Sequence, residues 1–534
     1  MSQTRGVLTV LAAVLLLLAC APQQTEPTRQ ANRQQGGAPA TSSSAPQAND
    51  GQAPRSGEKV RATIVLGSEP VSINPYGDSA SFVYGMWMHM MEPLVMWNPE
   101  KGENEPVLAV SWSNPDPNTW EFKLRQGVKF HDGSDFTAAD VIHSYTRIRE
   151  DPGSVQKSTL EHVVAMEAPD PYTVRIRTRE PDAAFLFRIN NRVISSKSVW
   201  DRLGPEQADR QPIGTGPYVF KEWVQGQRWV MEKNPNYWNP ERHLAVDELV
   251  VRFVKEPQAL VTGLLNGELD VIPNVQPQFI PQIENSGVAH VAGARGAGIM
   301  FVGMNAAHKP WDNLKLRQAV AHAIDREAIV QGILNGRGYV LTGPVGEGQY
   351  AYDPNLKAGQ TYDPARARQL VREAGYPNGV DVELYTPTGR YLKDKEIAEA
   401  IAAMLGQVGI RARLQTPEWG KLWPDIQQGK VPFYYFGRGS VVDPSEYLHQ
   451  YFRTGVTPRL NHSDAELDRL LLAEAQEFDP RKRVELLRKA MARLNETAPA
   501  AFILQYENTY GVSNRFHFKA RGDEYIFAWN LSLR

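Results

Sequence analysis

The feature that most restricts the fold of this chain is the segment 120–141, WEFKLRQGVKFHDGSDFTAADV. From Trp120 to Leu124, apolar and charged residues alternate, which is the period-two pattern of a half-buried strand. Two polar turns that contain glycine follow, the second at Asp132-Gly133. Thr137 then stands where the N-cap of a helix is expected. The segment therefore predicts a strand hairpin followed directly by a capped helix.

Residues 1–20 have the pattern of a secretory signal. Arg5 precedes an apolar run at 7–18, which is too short to span a membrane. The run closes with Leu17-Leu18-Ala19-Cys20, which resembles a lipobox, so we predict a lipoprotein signal and a lipid-carrying Cys20. Cleavage elsewhere without lipid is the alternative. Several acyl chains on Cys20 would hold the protein firmly at a membrane.

The segment 21–58 is predicted to be a disordered tether. It contains no Val, Leu, Ile, Met or aromatic residue, so it has little to offset the entropy cost of ordering. As a flexible coil it would reach roughly 35 Å. Such a tether would let an anchored domain turn towards a partner in the membrane.

Composition indicates a large globular region that is stabilised by its core. Cys20 is the only cysteine, so an internal disulfide is excluded. The whole chain has 42% hydrophobic residues, and the region 59–534 is long enough for two or more lobes. The formal net charge of −2 argues against a nucleic-acid partner.

The second half of the chain alternates predicted helices and strands. Asp363-Pro364 and Asp479-Pro480 each combine a cap with proline at the first helical position. A capping box is predicted at 463–466. Apolar residues at helical spacing over 397–408 precede a strand at 410–414. This alternation predicts an α/β lobe.

A catalytic centre is not indicated. The chain has no Gly-x-Ser-x-Gly, no His-Glu-x-x-His and no phosphate-binding loop with lysine. Its histidines lack the spacing of a metal site. The glycine-rich stretch 293–298 is not followed by a helical pattern, so a dinucleotide site is not expected. We predict a protein that is not an enzyme and has no cofactor and no metal.

Segment 120–141, with its Lys-Phe-His-Asp-Gly core, resembles the signature of the family 5 extracellular solute-binding proteins of ABC importers. Five further segments are similar to that family, at 212–218, 234–238, 266–270, 317–326 and 362–377. The resemblance implies a type II periplasmic-binding-protein fold. That is an α/β fold with two lobes around a cleft and an extra subdomain in the first lobe.

The resemblance also implies where the chain divides. The first lobe is expected to comprise 59–75, 212–298 and 505–534, with the extra subdomain at 76–211 and the second lobe at 299–504. The chain would cross to the second lobe near residue 300 and return near residue 500. Glycines in 293–298 would permit hinge dihedrals at the first crossing.

The same resemblance indicates candidate ligand-binding residues. Tyr76 lies at the start of a segment that borders the cleft in relatives, although a place in the core is the alternative. Arg390 matches an arginine that pairs with the ligand carboxylate, for which a planar guanidinium is well suited. Trp419 matches a cleft segment and is expected to stack on the ligand.

The segment 433–448 departs from the peptide-binding pattern. Aligned on Asp443-Pro444, the position of the aspartate that receives a peptide ammonium falls on Ser440, and Arg438 adds a positive charge. Asp443 would either replace the missing acceptor or brace the turn. This departure favours a ligand with a neutral or anionic group near Arg438, such as a blocked peptide, an opine-like compound or a glycoside.

The sequence therefore predicts an extracytoplasmic, membrane-anchored solute-binding protein that delivers a peptide or peptide-like solute to ABC permease subunits. An oligosaccharide or another polar solute is the alternative. Receptors for sensor complexes use the same fold, and an extracellular hydrolase is a more distant alternative. We expect a monomer.

Overall fold

The computed structural model of the protein describes residues 59–534 except Ser68, Val71, Ser79, Ala80, Ala358 and Ser440. The predicted signal, Cys20, the predicted tether and the candidate residue Ser440 therefore lie outside the described residues. In the described ranges, no helix is both long and apolar enough to cross a membrane.

The strands are numbered in chain order. Those before residue 296 are β1 Arg61–Leu66, β2 Val95–Asn98, β3 Glu103–Pro106, β4 Ala109–Asp116, β5 Thr119–Leu124, β6 Val163–Asp170, β7 Thr173–Thr178, β8 Tyr218–Val224, β9 Arg228–Lys233, β10 Glu248–Phe253, β11 Val271–Pro273 and β12 Ala289–Arg295. Those after it are β13 Ile299–Met304, β14 Gly338–Val340, β15 Val380–Tyr385, β16 Ile410–Gln415, β17 Phe433–Arg438, β18 Ala500–Ser513, β19 Phe516–Phe518 and β20 Leu531–Leu533.

The α-helices are numbered in the same way. The earlier ones are α1 Ser81–Trp87, α2 Ala138–Glu150, α3 Phe185–Ile189, α4 Lys197–Leu203, α5 Pro205–Asp209, α6 Pro257–Leu265 and α7 Ile280–Glu284. The later ones are α8 Leu314–Ala323, α9 Arg326–Ile333, α10 Pro364–Glu373, α11 Asp394–Gln407, α12 Trp419–Gln427, α13 Ser445–Phe452, α14 Ala465–Ala475 and α15 Pro480–Thr497.

The buried apolar residues separate into two groups of clusters, which define two lobes. The first-lobe clusters draw on residues from Val60 to Ala289 and from Tyr510 to Leu531. The second-lobe clusters lie between Ile299 and Leu504. Each lobe combines strands with helices, so the predicted α/β class with two lobes is confirmed.

A single long sheet runs through both lobes, and β18 is the strand that joins its halves. The first part of β18 pairs with β13, where Ala501 lies opposite Val302. Its second part pairs with β11 and β12, where Ser513 lies opposite Ala289. The other strand crossing runs from β12 to β13 through 296–298. Two adjacent strands therefore connect the lobes.

Gly296 at this crossing is explained by close packing. Its φ is not positive, so a left-handed backbone is not the reason for glycine at this position. A Cβ on Gly296 would instead lie 2.8 Å from the carbonyl oxygen of Tyr506 on β18. The glycine therefore permits the two connecting strands to approach each other.

In segment 120–141 the predicted strand and the capped helix are confirmed, whereas the second strand of the predicted hairpin is wrong, because residues 128–136 form only the isolated bridge between Lys129 and Asp135. Strand β5 lies inside a four-stranded antiparallel sheet in the order β4-β5-β7-β6. Thr137 is the N-cap of α2, and its backbone N–H donates to the Asp140 carboxylate at 2.8 Å. Trp120 is buried, and its indole N–H donates to the carbonyl of Asp182 at 3.2 Å.

Most caps predicted in the second half are also confirmed. Asp363 and Asp479 cap α10 and α15, and each is followed by proline. The capping box at 463–466 is wrong by one residue. Asp464, rather than Ser463, is the N-cap of α14, because its carboxylate accepts from the N–H of Leu467 at 2.8 Å.

Candidate functional site

Two adjoining cavities lie between the lobes. We call the first, with a volume of 650 Å³, the subdomain cavity, and the second, with a volume of 720 Å³, the hinge cavity. They share lining residues Met96, Trp97, Val442 and Asp523. The subdomain cavity is bordered by 155–161 and 184–192 on one side and by 438–456 on the other. The hinge cavity is lined by 294–297 and by 519–523.

An aromatic wall in the second lobe surrounds the predicted residue Trp419. Trp419 and Trp423 are four residues apart on α12, so they share one face of the helix. Their rings stack with centroids 5.5 Å apart, and Trp423 stacks on Phe436 of β17 at 5.3 Å. Tyr391 meets Trp419 edge-on at 6.2 Å. Trp419 is half-buried and Phe436 is buried.

Arg390 is exposed beside this wall, in the loop between β15 and α11. Its guanidinium carbon lies 5.2 Å from the ring centroid of Tyr391 and 5.4 Å from that of Trp419. The Asp394 carboxylate holds the loop, because it accepts from the backbone N–H of Arg390 at 2.9 Å. Among the described residues, no carboxylate pairs with the Arg390 guanidinium.

Arg390 also acts electrostatically on the opposite lobe. Glu524 belongs to the first-lobe loop that precedes Tyr525, and its backbone has a φ of 67°. Burial and the neighbouring Asp523 raise the pKa of the Glu524 carboxyl, and Arg390 opposes that increase. The positive charge of Arg390 in the second lobe therefore influences the pKa of Glu524 in the first lobe.

Arg438 lines the subdomain cavity at the end of β17. Its Nη2 lies 3.3 Å from Oε1 of Glu446 on α13, and Glu446 lines the same cavity. The positive charge predicted at this position therefore has a counter-charge within the lobe.

Asp443 borders the subdomain cavity but is bound within the protein. Arg483 of α15 holds both carboxylate oxygens, with Nη1 at 2.6 Å from Oδ2 and Nη2 at 3.1 Å from Oδ1. The backbone N–H of Ser445 donates to the same carboxylate at 2.7 Å. Arg483 also donates through Nε to Glu474 of α14 at 3.0 Å. The turn at Asp443-Pro444 is thereby fixed to two helices.

This buried group is electrostatically coupled. Burial raises the pKa of the Asp443 carboxyl, and Arg483 opposes the increase. Burial disfavours the charge on Arg483, but Asp443 and Glu474 more than offset it, so the pKa of Arg483 is raised. His449 completes the group, with Nε2 at 3.1 Å from Oε1 of Glu474.

Tyr76 lies inside the first lobe, and it lines neither of the two cavities. Its side chain is fully buried. The hydroxyl donates to the carbonyl of Val193 at 3.1 Å and lies 3.2 Å from Oγ of Ser195. The Arg147 guanidinium covers its ring at 5.0 Å. These contacts match the alternative of a core tyrosine.

Several cavity residues were not predicted from the sequence. They are contributed by the first lobe, and they include Phe187, Asn191, Arg192 and Tyr525. Helix α3, which carries Phe187, has the composition of a core segment, so its pattern gives no sign of a cleft. Asn191 donates to the hydroxyl of Tyr525 at 3.2 Å, a contact between residues 334 apart in sequence. Only tertiary structure brings such residues together.

The described part of the chain has no group of three or more His, Cys, Asp or Glu side chains arranged to hold a metal ion. The arrangement of the site is that of a binding cleft. The first lobe lines the subdomain cavity with aromatic rings such as Phe187 and Tyr525, and the second lobe lines it with polar side chains such as Arg438. The predicted residues Arg390 and Trp419 line neither cavity.

These features define a two-lobed binding protein of the type II periplasmic fold. A search against protein families matches residues 103–458 to the bacterial extracellular solute-binding proteins, family 5. The chain belongs to this family, which is a family of solute-binding proteins rather than enzymes.

Individual relatives are similar over most of the chain. Di/tripeptide-binding protein 3 of Pseudomonas aeruginosa is 28% identical over 74% of this chain and 80% of its own length. Heme-binding protein A of Haemophilus influenzae is 29% identical over 82% of this chain and 85% of its own. The solved structure of HbpA2 from Haemophilus parasuis superimposes with a TM-score of 0.81 at 26% identity, covering 89% of this chain and 100% of that one.

Proposed function

We propose that this protein captures a peptide or peptide-like solute in the cleft between its lobes and delivers it to an ABC permease. The observation that carries the proposal is the pair of interlobe cavities in a member of a solute-binding family. The name of the di/tripeptide-binding relative supports peptide as the solute class. Aromatic rings and unpaired guanidinium groups suit the planar amides and the carboxylate of a short peptide.

Within this proposal, Arg390 and Trp419 bind the ligand from the second lobe. The Arg390 guanidinium receives the ligand carboxylate by paired hydrogen bonds, since no described carboxylate occupies it. Trp419 offers a half-buried ring on which a side chain can stack. Arg438 and Ser440 meet the other end of the ligand. Asp443 braces the turn at Asp443-Pro444 through its contacts with Arg483 and Ser445.

Transport requires that the ligand favours one arrangement of the lobes. A ligand that contacts both lobes only when they are closed shifts the population towards closure. The two connecting strands, β12–β13 and β18, support the proposed division into a first lobe of 59–75, 212–298 and 505–534, with subdomain 76–211, and a second lobe of 299–504. The closed form would then present surfaces of both lobes to the permease.

The solute class is tested by mass spectrometry of small molecules released from the full chain after native purification. Calorimetric titration with di- and tripeptides follows, and hemin is included because one relative is named a heme-binding protein. We expect at least one short peptide to bind with a Kd of roughly micromolar or below. Binding of hemin without any peptide would contradict the proposal.

The proposed anchor is the lipid on Cys20, which would keep the protein extracytoplasmic and close to the permease. Cys20→Ser removes the only thiol that a lipid could modify. We expect the variant in the soluble fraction, while Ser43→Ala in the predicted tether stays with membranes. Equal membrane retention of both variants would exclude lipid as the anchor.

A further inference from the structure

Most charged side chains that line the subdomain cavity are neutralised inside the protein. Arg188 lies 2.9 Å from Asp182, and Arg438 lies 3.3 Å from Glu446. Asp443 is held by Arg483, and Asp523 by Arg521. These four charges are therefore already balanced within the protein.

Arg192 differs from them. It lines the cavity from the first lobe, just after α3. Its Nη1 donates to Oδ1 of Asn191 at 2.8 Å and its Nη2 to Oγ1 of Thr159 at 3.0 Å. Its guanidinium carbon lies 5.0 Å from the ring centroid of Tyr84. All of these partners are neutral, and no described carboxylate pairs with Arg192.

One donor of Arg192 is also unused. Its Nε is buried and has no hydrogen-bond partner among the described residues. A half-buried guanidinium with an unmatched donor and no counter-ion is costly in the empty protein. A planar anion in the cavity would supply the counter-charge that the guanidinium lacks.

The opposite wall of the cavity carries a second unmatched arginine. Arg453 follows α13 in the second lobe and has no side-chain hydrogen bond or ion pair with the described residues. The acidic lining residue left without such a pair is Glu161, which is exposed to solvent. After internal pairing, the first-lobe wall therefore keeps Arg192 and the exposed Glu161, and the second-lobe wall keeps Arg453.

We propose that Arg192 forms a subsite for a second anionic group of the ligand, separate from the carboxylate assigned to Arg390. This inference rests on the proposed function and narrows it to peptides with an acidic side chain. The carboxylate of that side chain is bound by Arg192 in the first lobe and attracted by Arg453 across the cavity. Such a group would also favour contact between the lobes, because each lobe contributes one of the two cations.

The test compares peptides that differ only in charge, Ala-Glu with Ala-Gln and Ala-Glu-Ala with Ala-Gln-Ala. Affinities are measured by calorimetric titration of the full chain in detergent. In at least one pair we expect the Glu peptide to bind about tenfold more tightly than the Gln peptide, as for a charged hydrogen bond. Arg192→Gln should reduce this ratio to about twofold or less while leaving the Gln peptide almost unaffected.

Arg210→Gln is the matched control, because Arg210 is exposed and lines neither cavity. If Arg192→Gln does not fold, Arg453→Gln tests the opposite wall of the cavity. This variant should also lower the ratio of the affinity for the Glu peptide to that for the Gln peptide. Peptide binding with equal affinities within every pair would overturn this inference and leave the proposed function intact. If none of these four peptides binds, this inference is overturned, and the wider titration with di- and tripeptides decides the proposed function separately.

Discussion

Two arginine–aspartate pairs in the second lobe have similar geometry in opposite surroundings. Arg483 holds Asp443 by two contacts of 2.6 and 3.1 Å. Arg411 holds Asp381 by two contacts of 2.8 and 2.9 Å. The side chains of the first pair are 3% and 4% exposed, whereas those of the second are 52% and 79% exposed. Equal distances therefore do not imply equal contributions to stability.

Arg390 is a third arginine of the second lobe, and its surroundings differ from those of both pairs. Arg390 is exposed and has no carboxylate partner among the described residues, although it lies in the same lobe as the two pairs. The buried pair is bound within the protein and cannot serve a ligand without a large loss. The guanidinium donors of the unpaired Arg390, in contrast, are free to bind a ligand. Partner and burial, rather than residue type, distinguish structural arginines from candidate ligand-binding ones.

The largest expected effect is on the buried pair. Arg483→Ala would leave Asp443 and Glu474 buried without their shared cation, so we expect a loss of about 3–5 kcal/mol in the free energy of unfolding. Urea denaturation followed by circular dichroism measures it. Arg481→Ala is the control, because Arg481 is exposed on the same helix. A loss below about 1 kcal/mol for Arg483→Ala would contradict a stabilising role for the pair.

The sequence predicted features that depend on neighbouring residues. Strand β5, the cap at Thr137 and the caps at Asp363 and Asp479 each depend on a few adjacent side chains, so their patterns were sufficient. The Asp443–Arg483 pair joins residues 40 apart in sequence, and nothing local marks Arg483 as its partner.

Whether a residue borders the cleft was also hard to predict, because it depends on contacts between residues that are distant in sequence. Tyr76 follows a family pattern, but its burial depends on Val193 and Ser195, more than a hundred residues away. Arg192 looks like any loop arginine until the fold sets it against the subdomain cavity. Arg390 and Trp419 were named from resemblance, and the structure brings them within 5.4 Å of each other.

The next effect concerns the unpaired arginine. Arg390→Ala should weaken binding of a carboxylate-bearing ligand by roughly tenfold or more, since it removes a charged hydrogen bond. The urea midpoint should stay unchanged, because Arg390 is exposed and has no ion pair to lose. Arg413→Ala, an exposed substitution on β16, is the matched control. Unchanged affinity in Arg390→Ala would remove this residue from the site.

A smaller gain is expected at the position of the missing ammonium acceptor. Ser440→Asp should improve binding of free-amine peptides by about threefold to tenfold if the register with peptide-binding relatives is right. Ser440→Asn is the control, because asparagine has nearly the same shape as aspartate but carries no charge. An N-acetylated peptide should show no gain in either variant. Equal affinities of Ser440→Asp and Ser440→Asn for a free-amine peptide would contradict the register.

The smallest effect is predicted for the exposed pair, and it decides whether burial governs how much each pair stabilises the protein. Arg411→Ala removes a two-contact ion pair whose distances of 2.8 and 2.9 Å are similar to the 2.6 and 3.1 Å of the buried pair. Water solvates Asp381 as soon as Arg411 is gone, so we expect a urea midpoint within experimental error of the unchanged protein. The same measurement on Asp381→Asn tests the partner. If Arg411→Ala destabilised the protein as much as Arg483→Ala, contact geometry rather than burial would govern the arginines of this lobe.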